Sequence, residues 1–360
     1  MKKKFSLFLL AILGILILIT GCGGGGSGSS NNSSGSPKVF KIAFVSSKSG
    51  AANIWVINSD GTGLTQLTHS SPSTTDRDDE YTSPVISPDG KKIAYSWWHD
   101  TGTDYSPLSI YIMGIDGSNP TKISMNDGKS DTTKYDDDFP TWAPDCTTIY
   151  CLSSYNTDSA RKNPLEIASI NVNNLSYPKM ILNLNNLSGV TTSVSGDLRC
   201  SPDGSKIVFE YILSSNEYSD LCIINSDGSG DLKNITSTAS SNQDNVTPNW
   251  SPDGTQIYFT NTTNDQMNTC KIYRVNSDGS GLTPITADNN LAELGPAFSP
   301  DGTQMLCYTE ITAQNKYGLY FINPQNGKTL SLITDYMNSD DTPFASTGTL
   351  SSMRVRKLKK

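Results

Sequence analysis

Acidic side chains recur at one place in this chain. Glu80 stands before Pro84, Asp138 before Pro140, Asp244 before Pro248, Glu293 before Pro296 and Asp341 before Pro343, with Asp197 in the corresponding segment of the remaining unit. Like charges gathered around one opening focus a negative potential there. Such a mouth suits a basic peptide, a cationic group or a metal ion. The competing reading is local, with each carboxylate capping a turn or bonding neighbouring backbone amides. The runs Asp76-Arg77-Asp78-Asp79-Glu80 and Asp136-Asp137-Asp138 offer hard oxygens, but neither has the spacing of a calcium loop. No metal and no cofactor are assigned.

Covalent catalysis is not supported by the residue types. His69 and His99 are the only histidines, so none follows His99 to act as a base. No Gly-x-Ser-x-Gly turn occurs after Pro37. Trp97-Trp98-His99 closes a strand-like run. Adjacent strand side chains face opposite sides, so one Trp packs inward and the other is exposed or covered by a loop. Stacking on a sugar ring is the functional alternative for this pair. A formal charge of −8, from 27 Lys and Arg against 35 Asp and Glu, argues against a nucleic-acid partner. The basic tail Arg354 to Lys360 reads as solvated.

The elements that position these residues come from a repeat. Ser87-Pro88-Asp89-Gly90 returns as Ala143-Pro144-Asp145-Cys146, Ser201-Pro202-Asp203-Gly204, Ser251-Pro252-Asp253-Gly254 and Ser299-Pro300-Asp301-Gly302, with a worn copy at Ala345-Ser346-Thr347-Gly348. Successive copies are 56, 58, 50 and 48 residues apart. A period of this size means one supersecondary unit copied many times. Around each turn the apolar period is two, as in Lys206-Ile207-Val208-Phe209, which predicts strands. A further strand follows, as in Ile272-Tyr273-Arg274-Val275, and ends in a tight turn such as Asn276-Ser277-Asp278-Gly279. There Asp-Gly supplies the backbone that hairpins need. Four antiparallel strands per unit predict a β-propeller blade. The strand at Lys41 to Val45 has no such turn ahead of it, and Pro343-Phe344-Ala345 has no complete blade after it. Each end holds what the other lacks. The expected fold is therefore all-β, a six-bladed propeller whose C-terminal strand joins the N-terminal blade.

The pattern Pro-x-Trp-Ser-Pro-Asp-Gly-x-x-Ile-x-(Tyr/Phe), then Ile-Tyr-x-(Ile/Val)-Asn-x-Asp-Gly, then Leu-Thr, resembles the propeller of the TolB family over residues 38 to about 350. The resemblance implies protein recognition on the channel face. That family's N-terminal α/β domain is missing, and a Gly/Ser-rich segment stands in its place.

Residues 1–21 read as a signal: Lys2, Lys3 and Lys4, then an apolar run from Phe5 to Ile19. Leu18-Ile19-Thr20-Gly21-Cys22 resembles the lipobox of bacterial lipoproteins, which implies lipidation of Cys22 with palmitate-type chains and cleavage before it. Residues 22–37 read as a flexible tether. With Gly23 after the Cys, the resemblance implies the outer membrane, facing the periplasm, where the host has one, and otherwise the outer face of the cell membrane. Six further cysteines remain. Cys151, Cys200, Cys222 and Cys307 take core positions of the repeat, and a Cys146–Cys151 disulfide stays open.

The resulting expectation is a lipid-anchored, monomeric, non-catalytic propeller over 38–360. It binds an envelope protein or peptide at a channel mouth lined by Glu80, Asp138, Asp197, Asp244, Glu293 and Asp341. The alternatives are a carbohydrate-binding or polysaccharide-lyase-like propeller, and a remnant of a prolyl-peptidase-type propeller.

Overall fold

The computed structural model describes residues 39–46, 48–70, 80–98, 108–124, 135–155, 165–174, 179–183, 196–212, 218–237, 243–263, 270–286, 291–311 and 316–337. Every regular element among them is a β-strand. The first blade holds β1 (Lys41–Ser46), β2 (Asn53–Asn58) and β3 (Thr65–Gln66); the second holds β4 (Glu80–Ile86), β5 (Lys92–Trp98), β6 (Ser109–Gly114) and β7 (Thr121–Lys122). The third comprises β8 (Tyr135–Trp142), β9 (Thr148–Tyr155), β10 (Leu165–Asn171) and β11 (Lys179–Asn183). The fourth comprises β12 (Leu198–Cys200), β13 (Lys206–Ile212), β14 (Ser219–Asn225) and β15 (Lys233–Asn234). In the fifth are β16 (Gln243–Trp250), β17 (Gln256–Thr263), β18 (Lys271–Asn276) and β19 (Thr283–Pro284). The sixth ends the series with β20 (Leu291–Phe298), β21 (Met305–Ile311), β22 (Lys316–Ile322) and β23 (Thr329–Met337). Within each blade the strands pair antiparallel in chain order.

Alternating apolar residues give each sheet two faces to bury, and the neighbouring blades bury them. One cluster joins Val85, Ala94 and Ile110 of the second blade to Trp142, Ile149 and Ala168 of the third. Another joins Val208, Leu221 and Ile223 to Trp250, Ile257 and Phe259 of the fifth. The joint that closes the ring packs Leu294, Leu306 and Phe321 of the sixth blade on Ile42, Phe44 and Ile57 of the first. The expected six-bladed ring is therefore present. The completing strand Pro343-Phe344-Ala345 lies outside the described residues.

Polar devices fix the blades in register. In the Ser-Pro-Asp-Gly turns the Ser87 hydroxyl donates to Asp89 Oδ1 (2.6 Å) and accepts the Lys92 N–H (2.9 Å). Ser201, Ser251 and Ser299 repeat both bonds. The third blade has Ala143 instead, and Asp145 Oδ1 accepts the N–H groups of Thr147 and Thr148 (2.8 Å each) directly. Cys146 there adopts the positive φ (56°) that Gly204 supplies in the next copy (77°). At the hub, Trp142 Nε1 donates to Val85 O of the preceding blade, and Trp250 Nε1 to Arg199 O, both at 3.1 Å.

Trp250→Phe keeps the apolar packing and deletes one cross-blade bond, so urea denaturation should show a loss of about 1–2 kcal/mol. Ser251→Ala should cost about 1 kcal/mol by the same measurement. Hydrogen bonds from Ser201 and the Ser205 N–H pull the Asp203 carboxyl down to about 2, below its ordinary 3.8. Its contribution is present above about pH 4 and is lost as pH falls toward 2.

Candidate functional site

The repeated turns occupy one end of the second to sixth blades. At the other end the innermost strands begin, the second strands finish and the third strands start. Four innermost strands share a local distortion there. Ser83, Phe139, Thr247 and Gly295, each directly ahead of a proline, have φ of 50°, 54°, 53° and 60°. The ladder slips at the same place in all four blades. A bulge of this kind re-aims the chain entering the sheet. A left-handed non-Gly residue costs about 1–3 kcal/mol unless its surroundings hold it. They do: Thr247 N–H donates to Glu210 Oε1 of the preceding blade (2.6 Å), Gly295 N–H to Thr260 Oγ1 (3.0 Å), and Phe139 N–H to Asp138 Oδ1 (2.7 Å).

The acidic residues singled out from the sequence lie at this end, but not in one register. Asp244 is seven residues before its turn serine, Glu293 six, Asp138 five before Ala143, and Asp197 four before Ser201. Each has a different neighbour. Asp244 is buried and its Oδ1 accepts the Ser219 N–H at 2.7 Å. Asp136, in the matching place of the third blade, accepts the Leu108 N–H at 3.0 Å. Glu293 is buried with its Oε2 3.9 Å from Lys271 Nζ. Asp197 is buried against Arg199. The Glu80 side chain and Asp341 lie outside the described residues. Arg199, Glu210, Asp220 and Lys271 were not picked out from the sequence, although they are buried at this end. The signal for Arg199 and Glu210 was a charge inside an apolar strand of the repeat.

Burial governs the electrostatics. It lifts the Asp137 carboxyl to about 6, against hydrogen bonds from Ser153 (2.6 Å) and Ser124 that favour the anion. Burial likewise lifts Asp138 to about 6, opposed by Ser96 and the Phe139 N–H and assisted by the Asp197 charge. Asp197 is raised by burial too, with Arg199 pulling the other way.

The Trp pair resolves differently. Trp97 stacks on Tyr81 (5.4 Å, 12°) and meets Tyr111 edge-on (5.0 Å, 65°), and these rings pack on the joint between the first and second blades. All six remaining cysteines are free thiols, and Cys151, Cys222, Cys270 and Cys307 are fully buried. Among the described residues, no three His, Cys, Asp or Glu side chains are grouped to hold a metal ion.

A ring of six small antiparallel sheets with a polar hub defines a six-bladed propeller. The family model described as TolB beta propeller domain matches residues 166–350, just over half of the chain, and the chain belongs to that family. TolB from Acinetobacter baumannii is similar in structure (TM-score 0.57, 20% identity), the match covering 81% of this chain and 63% of that one. This chain therefore spans less than two thirds of that TolB. An oligogalacturonate lyase from Vibrio parahaemolyticus (TM-score 0.51, 14% identity) is covered for 78% of its length and this chain for 84%. A puromycin-hydrolyzing peptidase from Mycobacterium tuberculosis (TM-score 0.52, 12% identity) is covered for 49%, against 92% of this chain. At these identities the likenesses establish the fold. No curated protein sequence matches the chain.

The raised carboxyl of Asp137 gives a pH test. Its folded value (about 6) exceeds its unfolded value (near 3.8), so folding binds an extra proton between them and stability falls as pH rises through about 4 to 6. Asp137→Asn cannot ionise. Its unfolding free energy, from urea denaturation, should gain on that of the native protein between pH 4 and pH 7 by an amount on the order of 2 kcal/mol. A difference that stays constant over this range would refute the assignment.

Proposed function

We propose that this protein is a lipid-anchored propeller of the bacterial envelope that docks another envelope protein or a peptide on its strand-entry face, without catalysing a reaction. On this reading residues 1–21 are removed, Cys22 carries the acyl chains, and residues 22–37 tether a monomeric propeller formed by 38–360. Several acyl chains hold a protein at a membrane where one chain does not. Localisation follows from the anchor: the outer membrane facing the periplasm in a host that has one, otherwise the outer face of the cell membrane.

One observation carries the docking assignment. Among the described residues, the turn end of the second to sixth blades is built from one repeated motif, whereas the strand-entry end varies from blade to blade and concentrates charge. Asp136, Asp137, Asp138, Asp197, Glu210, Asp220, Asp244 and Glu293 outnumber Arg199, Lys271 and Lys122 around it. An excess of this kind leaves a negative field that steers a cationic segment toward the hub. Glu80 and Asp341 are proposed to add to it. The family's fold is consistent with protein recognition, and the lyase and peptidase similarities extend only to the scaffold.

Two measurements test this. Palmitate labelling of cells should mark the native protein and not Cys22→Ala; label persisting in the variant would overturn the anchor. Crosslinking in intact envelopes should join a defined partner to the strand-entry face. For that partner, Asp136→Asn with Asp138→Asn should slow association about tenfold at low salt and much less at high salt. An unchanged rate at low salt would remove the charged face from the docking reading.

A further inference from the structure

The sixth blade departs from the others at its rim. In the first, second, fourth and fifth blades the outermost strand is two residues long, and the chain then leaves for the next blade. A hydroxyl marks the point of departure: Thr68, Ser124, Thr236 and Thr286 each accept a third-strand N–H just beyond the ladder. Thr334 holds that place in the sixth blade, opposite Leu319 as Thr286 stands beside Ile272. β23 nevertheless runs on to Met337, which pairs with Tyr317. The first blade departs in the complementary sense. Among the described residues it has three strands, and β1 is paired by β2 on one side only.

The chain between these two places is short. Pro84 follows Thr68 by 16 residues, Pro140 follows Ser124 by 16, Pro248 follows Thr236 by 12 and Pro296 follows Thr286 by 10. Pro343, the proline expected in the closing strand, follows Thr334 by nine residues but Met337 by only six. A link from Thr334 is close to the shortest that the ring already uses. A link from Met337 must cross three strand spacings of about 4.8 Å, and then about 10 Å to the next sheet. It must also run back along the strands by about 13 Å. Met337 lies level, through Tyr317 and Glu310, with Ala292, four residues before Pro296. Combined at right angles these distances make about 22 Å, the whole reach of six extended residues. Asp335, Tyr336 and Met337 therefore have two competing uses, extending the ladder on β22 or carrying the chain to the hub of the first blade. The β22–β23 ladder slips between Tyr317 and Leu319, where the two uses divide.

We infer that the end of β23 and the closing strand form a latch at the joint between the sixth and first blades. In the unlatched form β23 keeps all nine residues and the inner edge of β1 stays open. In the latched form β23 ends at Thr334, and Pro343-Phe344-Ala345 lies against β1 as the fourth strand of the first blade. The exchange trades backbone hydrogen bonds at the rim for backbone hydrogen bonds at the hub, which differ little in strength. Small changes in the link therefore decide which form prevails. The apolar joint is made by other residues, Leu306 and Phe321 on Ile42 and Phe44, and it holds in both forms. An open inner edge is a template for foreign strands, and latching removes it. The device goes beyond the docking function proposed above and does not depend on it.

Hydrogen exchange of the full chain, read by mass spectrometry at the rim (residues 316–319) and at β1 (residues 41–46), tests the latch. Strand donors alternate between neighbours, so Tyr336→Pro with Met337→Pro removes one that faces β22. This variant should speed exchange at the rim and slow it at β1, each by at least about threefold. Inserting Gly-Ser-Gly-Ser between Met337 and Asn338 lets both ladders form together. Exchange should then slow at both places and the melting temperature should rise, whereas lengthening a relaxed loop lowers it slightly. Ending the chain at Met337 should do the reverse of the proline variant, slowing exchange at the rim and speeding it at β1. Should that truncated chain fail to fold, the proline variant and the insertion decide. Exchange at β1 that ignores the proline variant and the insertion overturns the proposal. So does a proline variant in which rim and β1 both exchange faster, or an insertion that lowers the melting temperature.

Discussion

Each sheet in this protein is apolar on both faces, and that single constraint organises everything else. A four-stranded sheet cannot bury two faces by itself. It can do so between two like sheets, and those in turn need neighbours. The requirement ends only when the last sheet meets the first, as Leu306 and Phe321 meet Ile42 and Phe44. Each fully buried Ile or Phe in these joints contributes about 1.5–3 kcal/mol. The ring is thus the smallest arrangement in which no blade leaves a hydrophobic face in water.

Given that packing, polar groups serve to set angles and register. The Trp142 and Trp250 indoles reach across to the preceding innermost strand, coupling hub spacing to blade packing. Hydroxyls recur just beyond the outermost strands for a similar purpose. Thr68, Ser124, Thr236 and Thr286 accept the N–H of Ile54, Ile110, Leu221 and Ile272 at 2.8–3.0 Å. Buried backbone donors must be paired, and in these four blades one hydroxyl does so where the ladder runs out.

Much of this was legible in the sequence because it depends on local rules. Period-two patterning, the Pro-Asp turn and the Asn-Ser-Asp-Gly hairpin each act over a few residues, and the number of copies gave the number of blades. The site was less legible. Asp138, Asp197, Asp244 and Glu293 share a neighbourhood, but the bulge before each proline shifts the strand parity. A fixed distance from proline therefore does not mean a common direction. Asp244 turned out to cap Ser219, a residue far away in sequence. Arg199 and Glu210 were not picked out from the sequence, and only the structure places Arg199 3.5 Å from Asp197 and Glu210 on the Thr247 N–H of the next blade.

Why a scaffold so thoroughly apolar keeps charges at one end is a question of cost. The turn end solves its polar requirements within four or five residues, and its carboxylates stay exposed, hydrogen-bonded and ionised, as Asp203 does with a carboxyl held near 2. At the strand-entry end the carboxyls of Asp137 and Asp138 are driven up to about 6 by burial. At the position of Asp138 the second, fourth, fifth and sixth blades carry Thr82, Gly196, Val246 and Leu294, so the ring closes without that charge. A repeat copied for stability would converge on those neutral residues. On the docking function proposed above, the ionisable groups at this end, which oppose folding, would serve recognition of a polar partner, a requirement that oriented charge can meet.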